Sequence, residues 1–315
     1  MKTLCAAIAI CLAAPVAALA QREPSPYDTA SVMSEDGQWI YFYSYRHGAA
    51  ELYRMAPDGS GQTRLTHTDY NEWWPFITPD PNILLVASDK DSQGAFRGAN
   101  LYLFDIRSGE MENLTHLEPG QWAARAAVAA EDNLALVAMS VGFGADAHNE
   151  LWFYDLESRA RWLYLDNPAH NNRFPSISRD GETIAYISER NGRRGVYLND
   201  SSGQNERLLM ETTGEAFGAL SPDGDWFAFS MGATANALLG DTPSTAERDI
   251  YLLRTNGSEL RRLTAAPGSD HGAAWSPDSK TVFFSSYRCG PADIYAIEID
   301  GSHERNLSQT SHCAE

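Results

Sequence analysis

The sequence predicts an all-β protein, a six-bladed β-propeller of four-stranded antiparallel blades. One unit recurs six times along the 315 residues, at a spacing of about 43 to 55 residues. In each copy a turn precedes short segments that are rich in β-branched and aromatic residues. Because four short antiparallel strands cannot bury both faces of one sheet, repetition around an axis is the arrangement that covers them.

The turn that opens each unit is clearest in residues 221–224 (S-P-D-G) and 275–278 (W-S-P-D). At this turn the Asp side chain can form a hydrogen bond with the nearby backbone, and Gly can adopt the positive φ that the turn requires. Second strands are predicted at residues 39–43, 83–87, 134–138, 184–187, 226–229 and 282–285. Third strands are predicted at residues 51–53, 100–102, 150–152, 195–197, 249–251 and 293–295. Fourth strands end at residues 65–66, 114–115, 162–163, 208–209, 263–264 and 307–308.

The third unit departs most from this pattern. Residues 123–130 are rich in alanine, and Glu131-Asp132-Asn133 stands where the other units have the turn. A short helix is therefore the alternative to a first strand at this point.

The repeated motifs S-P-D-G, S-x-R, D-I-Y, D-G and R-x-L-T resemble the TolB-type propeller repeat, a relative of the WD repeat. The resemblance covers about residues 27–308. TolB proteins carry a separate α/β domain before their propeller, and we expect this chain to lack it. The resemblance therefore implies the propeller fold and leaves a role in the Tol system in doubt.

Residues 1–20 have the pattern of a secretory signal peptide: Lys2, an apolar stretch, and Ala-Leu-Ala before Gln21. A membrane anchor is the alternative, but the stretch is shorter than a spanning helix needs. We expect residues 21–315 to form a single propeller in the periplasm or outside the cell, without a membrane span. Blades are predicted at about residues 27–69, 70–118, 119–166, 167–212, 213–267 and 268–315.

Charge narrows the class of partner. The chain has 42 Asp and Glu residues against 24 Lys and Arg, a formal net charge of -18. The negative electrostatic potential of such a protein opposes binding to nucleic acid or to anionic lipid, and it favours basic partners or cations. We expect a monomer whose partner is an envelope protein, a peptide or a glycan.

Several catalytic motifs are missing from the sequence. There is no G-x-S-x-G, no H-E-x-x-H, no C-x-x-C, and no glycine-rich loop before Lys-Ser or Lys-Thr. A serine peptidase, a zincin, a dithiol redox enzyme and a P-loop enzyme are thus disfavoured, while activity of another kind stays open.

One positional pattern suggests a site. When the six units are aligned on the Asp of the turn, one position lies eight residues before that Asp, in the predicted first strand. This position is occupied by Asp28, Glu72, Ala124, Asn172, Glu215 and Asp270. Since first strands ring the channel of a propeller, these side chains predict an acidic mouth that attracts a basic segment or a divalent cation. Alternatively, each carboxylate caps backbone N–H groups or pairs with an arginine of its own blade.

Aromatic and polar residues lie close to these positions in the sequence. Trp73, Arg173 and His271 suit a sugar or a peptide at the same mouth. Trp74 and Trp122 lie in the same segments and are expected either at this mouth or, alternatively, packed between blades. His170 and His271 faintly resemble the site of oligogalacturonate lyases, TolB-like propellers with a histidine-bound divalent metal, which would imply a metal-dependent enzyme.

Two further features are candidates for specificity and stability. The loops at residues 89–99, 141–149 and 231–248 are enlarged, and specificity often lies in such loops. Cys289 and Cys313 are the two cysteines left after the leader, so an exported chain is expected to join them in a disulfide.

Together these observations favour an exported, non-catalytic binding propeller that recognises a protein, a peptide or a glycan at its channel mouth. The alternative is a metal-dependent enzyme that acts on oligosaccharides.

Overall fold

The computed structural model describes residues 27–92, 98–118, 120–142, 147–165, 167, 169–212, 217–232 and 247–310. Among the sequence predictions, the leader, Glu215, Cys313 and parts of the three enlarged loops lie outside these residues. Within the described residues, twenty-four strands form six four-stranded antiparallel sheets, and a 3-10 helix spans Lys90–Ser92. This arrangement confirms the predicted six-bladed propeller.

The first three blades are built from strands that follow one another in the chain. Blade 1 contains β1 (Asp28–Met33), β2 (Ile40–His47), β3 (Ala49–Met55) and β4 (Thr63–Arg64). Blade 2 contains β5 (Glu72–Ile77), β6 (Ile83–Ser88), β7 (Asn100–Asp105) and β8 (Met111–Asn113). Blade 3 contains β9 (Ala123–Ala129), β10 (Leu134–Val141), β11 (His148–Asp155) and β12 (Arg161–Leu163).

The other three blades repeat this order. Blade 4 contains β13 (Asn171–Ile177), β14 (Ile184–Arg190), β15 (Arg193–Asn199) and β16 (Arg207–Thr212). Blade 5 contains β17 (Phe217–Leu220), β18 (Trp226–Met231), β19 (Asp249–Arg254) and β20 (Arg261–Arg262). Blade 6 contains β21 (Asp270–Trp275), β22 (Thr281–Ser286), β23 (Asp293–Glu298) and β24 (Arg305–Asn306).

The alanine-rich segment of blade 3 is a strand, so the helix alternative is wrong. β9 pairs with β10 along its length, from Ala129 opposite Leu134 to Ala123 opposite Met139. Ala123 and Ala129 are fully buried. Small side chains fit this innermost position, where neighbouring sheets crowd together, and the pairing with β10 outweighs the helix propensity of alanine.

The repeated turn has a local explanation. In blade 1 the Ser34 hydroxyl donates to Asp36 and accepts the N–H of Trp39 at 2.9 Å. The same pair of bonds recurs in blades 4, 5 and 6. The Ser-x-Asp motif thus fixes the reversal between first and second strands, which is why it is the clearest sequence signal.

The ring closes without strand exchange among the described residues, because each sheet consists of four consecutive strands. Blades 1 and 6 meet through a buried cluster that includes Ile40, Phe42, Phe283 and Ile294. Polar contacts add to it: the Asp28 N–H donates to the Ala292 carbonyl at 2.9 Å. The seam therefore depends on side-chain packing and a few hydrogen bonds.

A register shift interrupts five of the six first strands. The register with the second strand shifts in β1, β5, β9, β13 and β21. In four of these strands a residue at the bulge has a positive φ: Ala30, Trp74, Phe174 and Gly272. This conformation is strained for large side chains such as Trp and Phe, at a cost of about 1 to 3 kcal/mol each. The bulge also changes which residue of each first strand faces the axis.

Candidate functional site

The first strands of all six blades line one cavity of about 580 Å³ on the axis. At the end where the first strands begin, its wall carries a set of rings that we call the aromatic collar. The collar consists of Tyr27, Tyr43, Trp74, Phe174, Phe217, His271 and Tyr287. A cavity of this size and lining is suited to an apolar or aromatic group.

The collar is nearly continuous around the channel. Phe174 and Phe217 of blades 4 and 5 meet edge to face, with ring centroids 4.6 Å apart. On the other side of the channel, Trp74 contacts Tyr43 at 6.1 Å. Further rings continue the collar: the ring centroids of Tyr27 and Tyr287 lie 5.7 Å apart, and those of Tyr287 and His271 lie 5.5 Å apart. Such contacts hold the rings in place and limit the entropy that a ligand would have to remove.

Arg125 contributes a positive charge to the collar from blade 3. Its guanidinium carbon lies 3.5 Å from the centroid of the Trp74 ring and 5.5 Å from that of Phe174. Arg125 thereby joins the two halves of the collar by cation–π contacts. Burial, reinforced by the nearby charge of Arg248, holds the pKa of His271 below its usual value, so this ring is neutral at pH 7.

An ion pair crosses the channel at its opposite end. Arg179 of blade 4 lies 2.9 Å from Glu35 of blade 1, on the far side of the six-blade ring, and 3.6 Å from Glu131 of blade 3. The Arg179 N–H also donates to the Pro222 carbonyl at 3.0 Å. Because these side chains are partly exposed, the pairs add little stability. Their position bridges the channel across its axis.

Of the predicted carboxylates, the three that the structure describes, Asp28, Glu72 and Asp270, do not line the cavity. Asp28 is fully buried and accepts a hydrogen bond from Arg46 Nε at 3.1 Å. Asp270 is likewise buried and pairs with Arg288 at 3.4 Å. The arginine in each pair belongs to the S-x-R motif of the same blade. The alternative prediction of capping and pairing thus describes these two carboxylates, because a charge at this depth is stable only beside a partner.

Two other members of the predicted set are also held within the blades. Asn172 is buried and accepts a hydrogen bond from the Ser188 hydroxyl at 2.7 Å. Glu72 is fully buried and accepts bonds from the hydroxyls of Thr66 at 3.2 Å and Thr68 at 2.7 Å. Burial raises the pKa of Glu72 to about 8. Their role in ligand binding stays a prediction.

Of the neighbouring predicted residues, His271 lines the cavity, whereas Trp73 and Arg173 do not. Trp73 is buried between blades 1 and 2, where its indole N–H donates to Tyr45 Oη at 2.9 Å. Arg173 lies 3.6 Å from Glu189. Trp74, expected alternatively to pack between blades, is the tryptophan on the channel wall, because the bulge exchanges the faces of the two residues.

The two histidines considered as metal ligands lie in separate cavities. His271 belongs to the collar, whereas His170 lines a polar recess of about 300 Å³ together with Glu206. Across the parts of the chain that the structure describes, no group of three or more His, Cys, Asp or Glu side chains could hold a metal ion. The geometry does not bring His170 and His271 together.

Arg125, Phe174 and Phe217 are site residues that were not predicted from the sequence, whereas Trp74 was considered both for the mouth and for packing between blades. A signal existed: Trp74, Phe174 and Phe217 each lie six residues before the Asp of their turn, and Arg125 is the one charged residue of the alanine-rich strand. Nothing in the sequence shows which side of a bulged strand faces the axis.

No family model matches the chain. Uncharacterized protein Atu1656 of Agrobacterium fabrum is 35% identical over 143 residues, which cover 45% of each chain. The Tol-Pal system protein TolB of Bordetella pertussis is 31% identical over 128 residues, 40% of this chain and 27% of the relative. A TolB homologue of Chlorobium luteolum is 25% identical over 131 residues, which cover 42% of this chain and 27% of the relative. The matched stretches cover less than half of each relative.

Solved structures with the same fold include TolB proteins. TolB from Acinetobacter baumannii superposes with a TM-score of 0.63 at 18% identity, over 90% of this chain and 64% of that chain. A putative TolB from Agrobacterium tumefaciens superposes with a TM-score of 0.61 at 19% identity, over 78% of this chain and 84% of that chain. Oligogalacturonate lyase from Vibrio parahaemolyticus superposes with a TM-score of 0.60 at 13% identity, over 88% of this chain and 92% of that chain. At these identities the likeness concerns the fold alone.

Among the described residues, we find no helix that is both long and apolar enough to cross a bilayer.

Proposed function

Since the chain is a TolB-like six-bladed β-propeller, we propose that it is a periplasmic binding protein whose aromatic collar receives part of an envelope protein or peptide. Export is inferred from the predicted leader at residues 1–20, and envelope partners are inferred from the similarity to TolB proteins.

The observation that carries this proposal is the collar itself. Rings from five blades and an arginine from the sixth line an open cavity, although packing between blades already closes the propeller. Trp74 and Phe174 occupy this wall in a backbone conformation that is costly for their side chains. Strain of this kind accumulates at binding sites, where it positions a side chain for a ligand.

Within the predicted site, we therefore assign ligand contact to His271 together with the collar. A structural role fits Asp28 and Asp270 better, because each is buried against an arginine of its own blade. The metal-dependent enzyme is not proposed, since His170 and His271 line separate cavities.

A pull-down from envelope extract with a collar variant and a matched control tests the proposal. The variant is Trp74→Ala/Phe217→Ala. The control is Trp162→Ala/Leu208→Ala, which removes two large apolar side chains that are each 44% exposed and outside the collar. We expect wild type and control to retain the same partner and the collar variant to lose it.

The purified partner then gives the affinity of each variant by calorimetry, and circular dichroism confirms that each is folded. Two buried aromatic contacts are worth at least tenfold in affinity. Equal affinity of the folded collar variant and the control would contradict the proposal.

A further inference from the structure

We infer that a groove on the outer wall of the propeller, between blades 3 and 4, is a binding site for a saccharide. This outer groove has two parts: the polar recess of about 300 Å³ that contains His170, and the exposed ring of Trp162 beside it. The recess and the axial cavity have no lining residue in common, so the site is separate from the collar. The inference therefore does not rest on the proposed function.

The first argument is the place of the exposed apolar side chains. Among the described residues, Trp162 and Leu208 are the large apolar side chains that remain exposed, each at 44%. Trp162 lies opposite Phe153 and Leu208 lies opposite Tyr197, and both of these rings pack in the core between blades 3 and 4. Because directly opposite residues of antiparallel strands share a face, Trp162 and Leu208 flank the same groove. Exposed apolar surface that is gathered in one groove is typical of a binding site.

Trp162 adjoins the recess through two other rings. Its ring centroid lies 5.5 Å from that of Phe153, which in turn lies 5.1 Å from that of Tyr164, a residue of the recess wall. The Tyr164 hydroxyl donates to the Asp200 carbonyl at 2.6 Å and so ties blade 3 to the turn that forms the opposite wall. An indole that is held by neighbouring rings and still exposed can stack on the C–H groups of a pyranose ring.

The second argument is a departure from the repeat in blade 4. Where blades 1 and 6 have an aspartate that pairs with the arginine of the S-x-R motif, blade 4 has Asn172. Arg190, the arginine of this blade, bonds both carboxylate oxygens of Glu206 and the Ser188 hydroxyl. Asn172 is 2% exposed and lines the recess. Its Oδ1 accepts from Ser188, whereas its Nδ2 makes no hydrogen bond among the described contacts.

A buried donor that opens on a cavity is costly unless a group in that cavity accepts its bond. The recess also contains Gln204, whose side-chain amide likewise makes no hydrogen bond among the described contacts. Saccharide hydroxyls both donate and accept, so they satisfy amides such as these. Amides within the recess and an aromatic ring beside it match the polar edge and the apolar face of a sugar. The volume of about 300 Å³ suits one sugar unit, with the next unit on Trp162.

Ligand-observed NMR titration with three uncharged probes tests the inference: maltotriose, triacetylchitotriose and the peptide acetyl-Ser-Gly-Ser amide. Trp162→Ala removes the exposed ring, and Asn172→Asp replaces the buried donor by an acceptor of nearly the same volume. Trp39→Ala is the matched control, because Trp39 lies in blade 1 under the guanidinium of Arg54. Melting temperatures verify that each variant is folded.

We expect at least one trisaccharide to bind wild type and Trp39→Ala with equal affinity, and the peptide amide not to bind. Loss of the stacking ring in Trp162→Ala should weaken binding about fivefold or more. Loss of the buried donor in Asn172→Asp should weaken it about tenfold or more.

Failure of both trisaccharides to bind wild type at millimolar concentration would overturn the inference, as would unchanged affinity in either folded variant. Binding of the peptide amide in place of the trisaccharides would also overturn it. The collar variant Trp74→Ala/Phe217→Ala should bind the trisaccharide as wild type does. Loss of saccharide binding alone would therefore leave the proposed function in place, and loss of the collar's partner alone would leave this inference in place.

Discussion

Glu72→Gln is expected to stabilise the protein at neutral and alkaline pH. Glu72 is fully buried in blade 2, where only hydroxyl groups of Thr66 and Thr68 are seen to donate to it among the described contacts. In blades 1 and 6 the acid at this position pairs with an arginine. Blade 2 has Lys90 at the corresponding place, and its ammonium lies over the ring of Tyr102. Burial therefore raises the pKa of Glu72 from 4.5 to about 8.

The sign of the pH effect follows from this shift. Between about pH 4.5 and 8 the folded protein keeps the proton of Glu72, whereas the unfolded chain has lost it. The free energy of unfolding then falls by about 1.4 kcal/mol for each pH unit. The stabilisation that comes from this proton uptake is complete below the pKa that Glu72 has in the unfolded chain. It is lost as pH rises through the pKa that Glu72 has in the folded protein. Over the whole window the loss amounts to about 3 to 5 kcal/mol.

Urea unfolding of wild type, Glu72→Gln and an exposed control, Glu157→Gln, between pH 5 and 8.5 measures this effect. Other buried acids, such as Asp28 and Asp270, titrate equally in all three proteins and cancel in the difference. The advantage of Glu72→Gln over wild type should grow by about 3 kcal/mol or more from pH 5 to pH 8. Parallel pH profiles for wild type and Glu72→Gln would refute the reasoning.

Three further predictions concern the seam and the loops. Gly59→Ala should cost about 1 to 3 kcal/mol more than Gly257→Ala, because both glycines have φ +86° but a Cβ at Gly59 would clash with the backbone carbonyl of Leu307 in blade 6; chemical unfolding of both variants checks the difference. Cys289 and Cys313 should show no reactive thiol under denaturing, non-reducing conditions, and reduction should lower the melting temperature; two thiols would refute the disulfide. Deletion of residues 233–245 should leave the circular dichroism spectrum of the sheet unchanged, and its loss would show that the loop is needed for pairing.

The fold was predictable because its signals are local and repeated. The bonds from Ser34 to Asp36 and to Trp39 form within six residues, so the same letters recur wherever the turn recurs. Six copies in order then specify the ring. The first strand of blade 3 was harder, because the pairing of Ala123 and Ala129 with β10 overrides a sequence pattern that also suits a helix.

The candidate site was less predictable because it depends on non-local contacts and on one bulge. The alignment found the acids, but pairing of Asp28 with Arg46 joins residues 18 apart and turns the carboxylate into the blade. Whether Trp73 or Trp74 faces the axis is decided by the register shift in β5, and a slip of one residue reverses the faces. Propensity and spacing do not encode that shift.

The most direct test of binding at the collar is photo-crosslinking in the cells that produce the protein. A photoreactive phenylalanine analogue replaces Phe217 in the collar or, as the control, Trp162 on the outer strand β12, which is 44% exposed. We predict a discrete crosslinked species with an envelope protein or peptide from position 217 and none from position 162. Crosslinks from position 162 with none from position 217, in a protein that is exported and folded, would contradict the account.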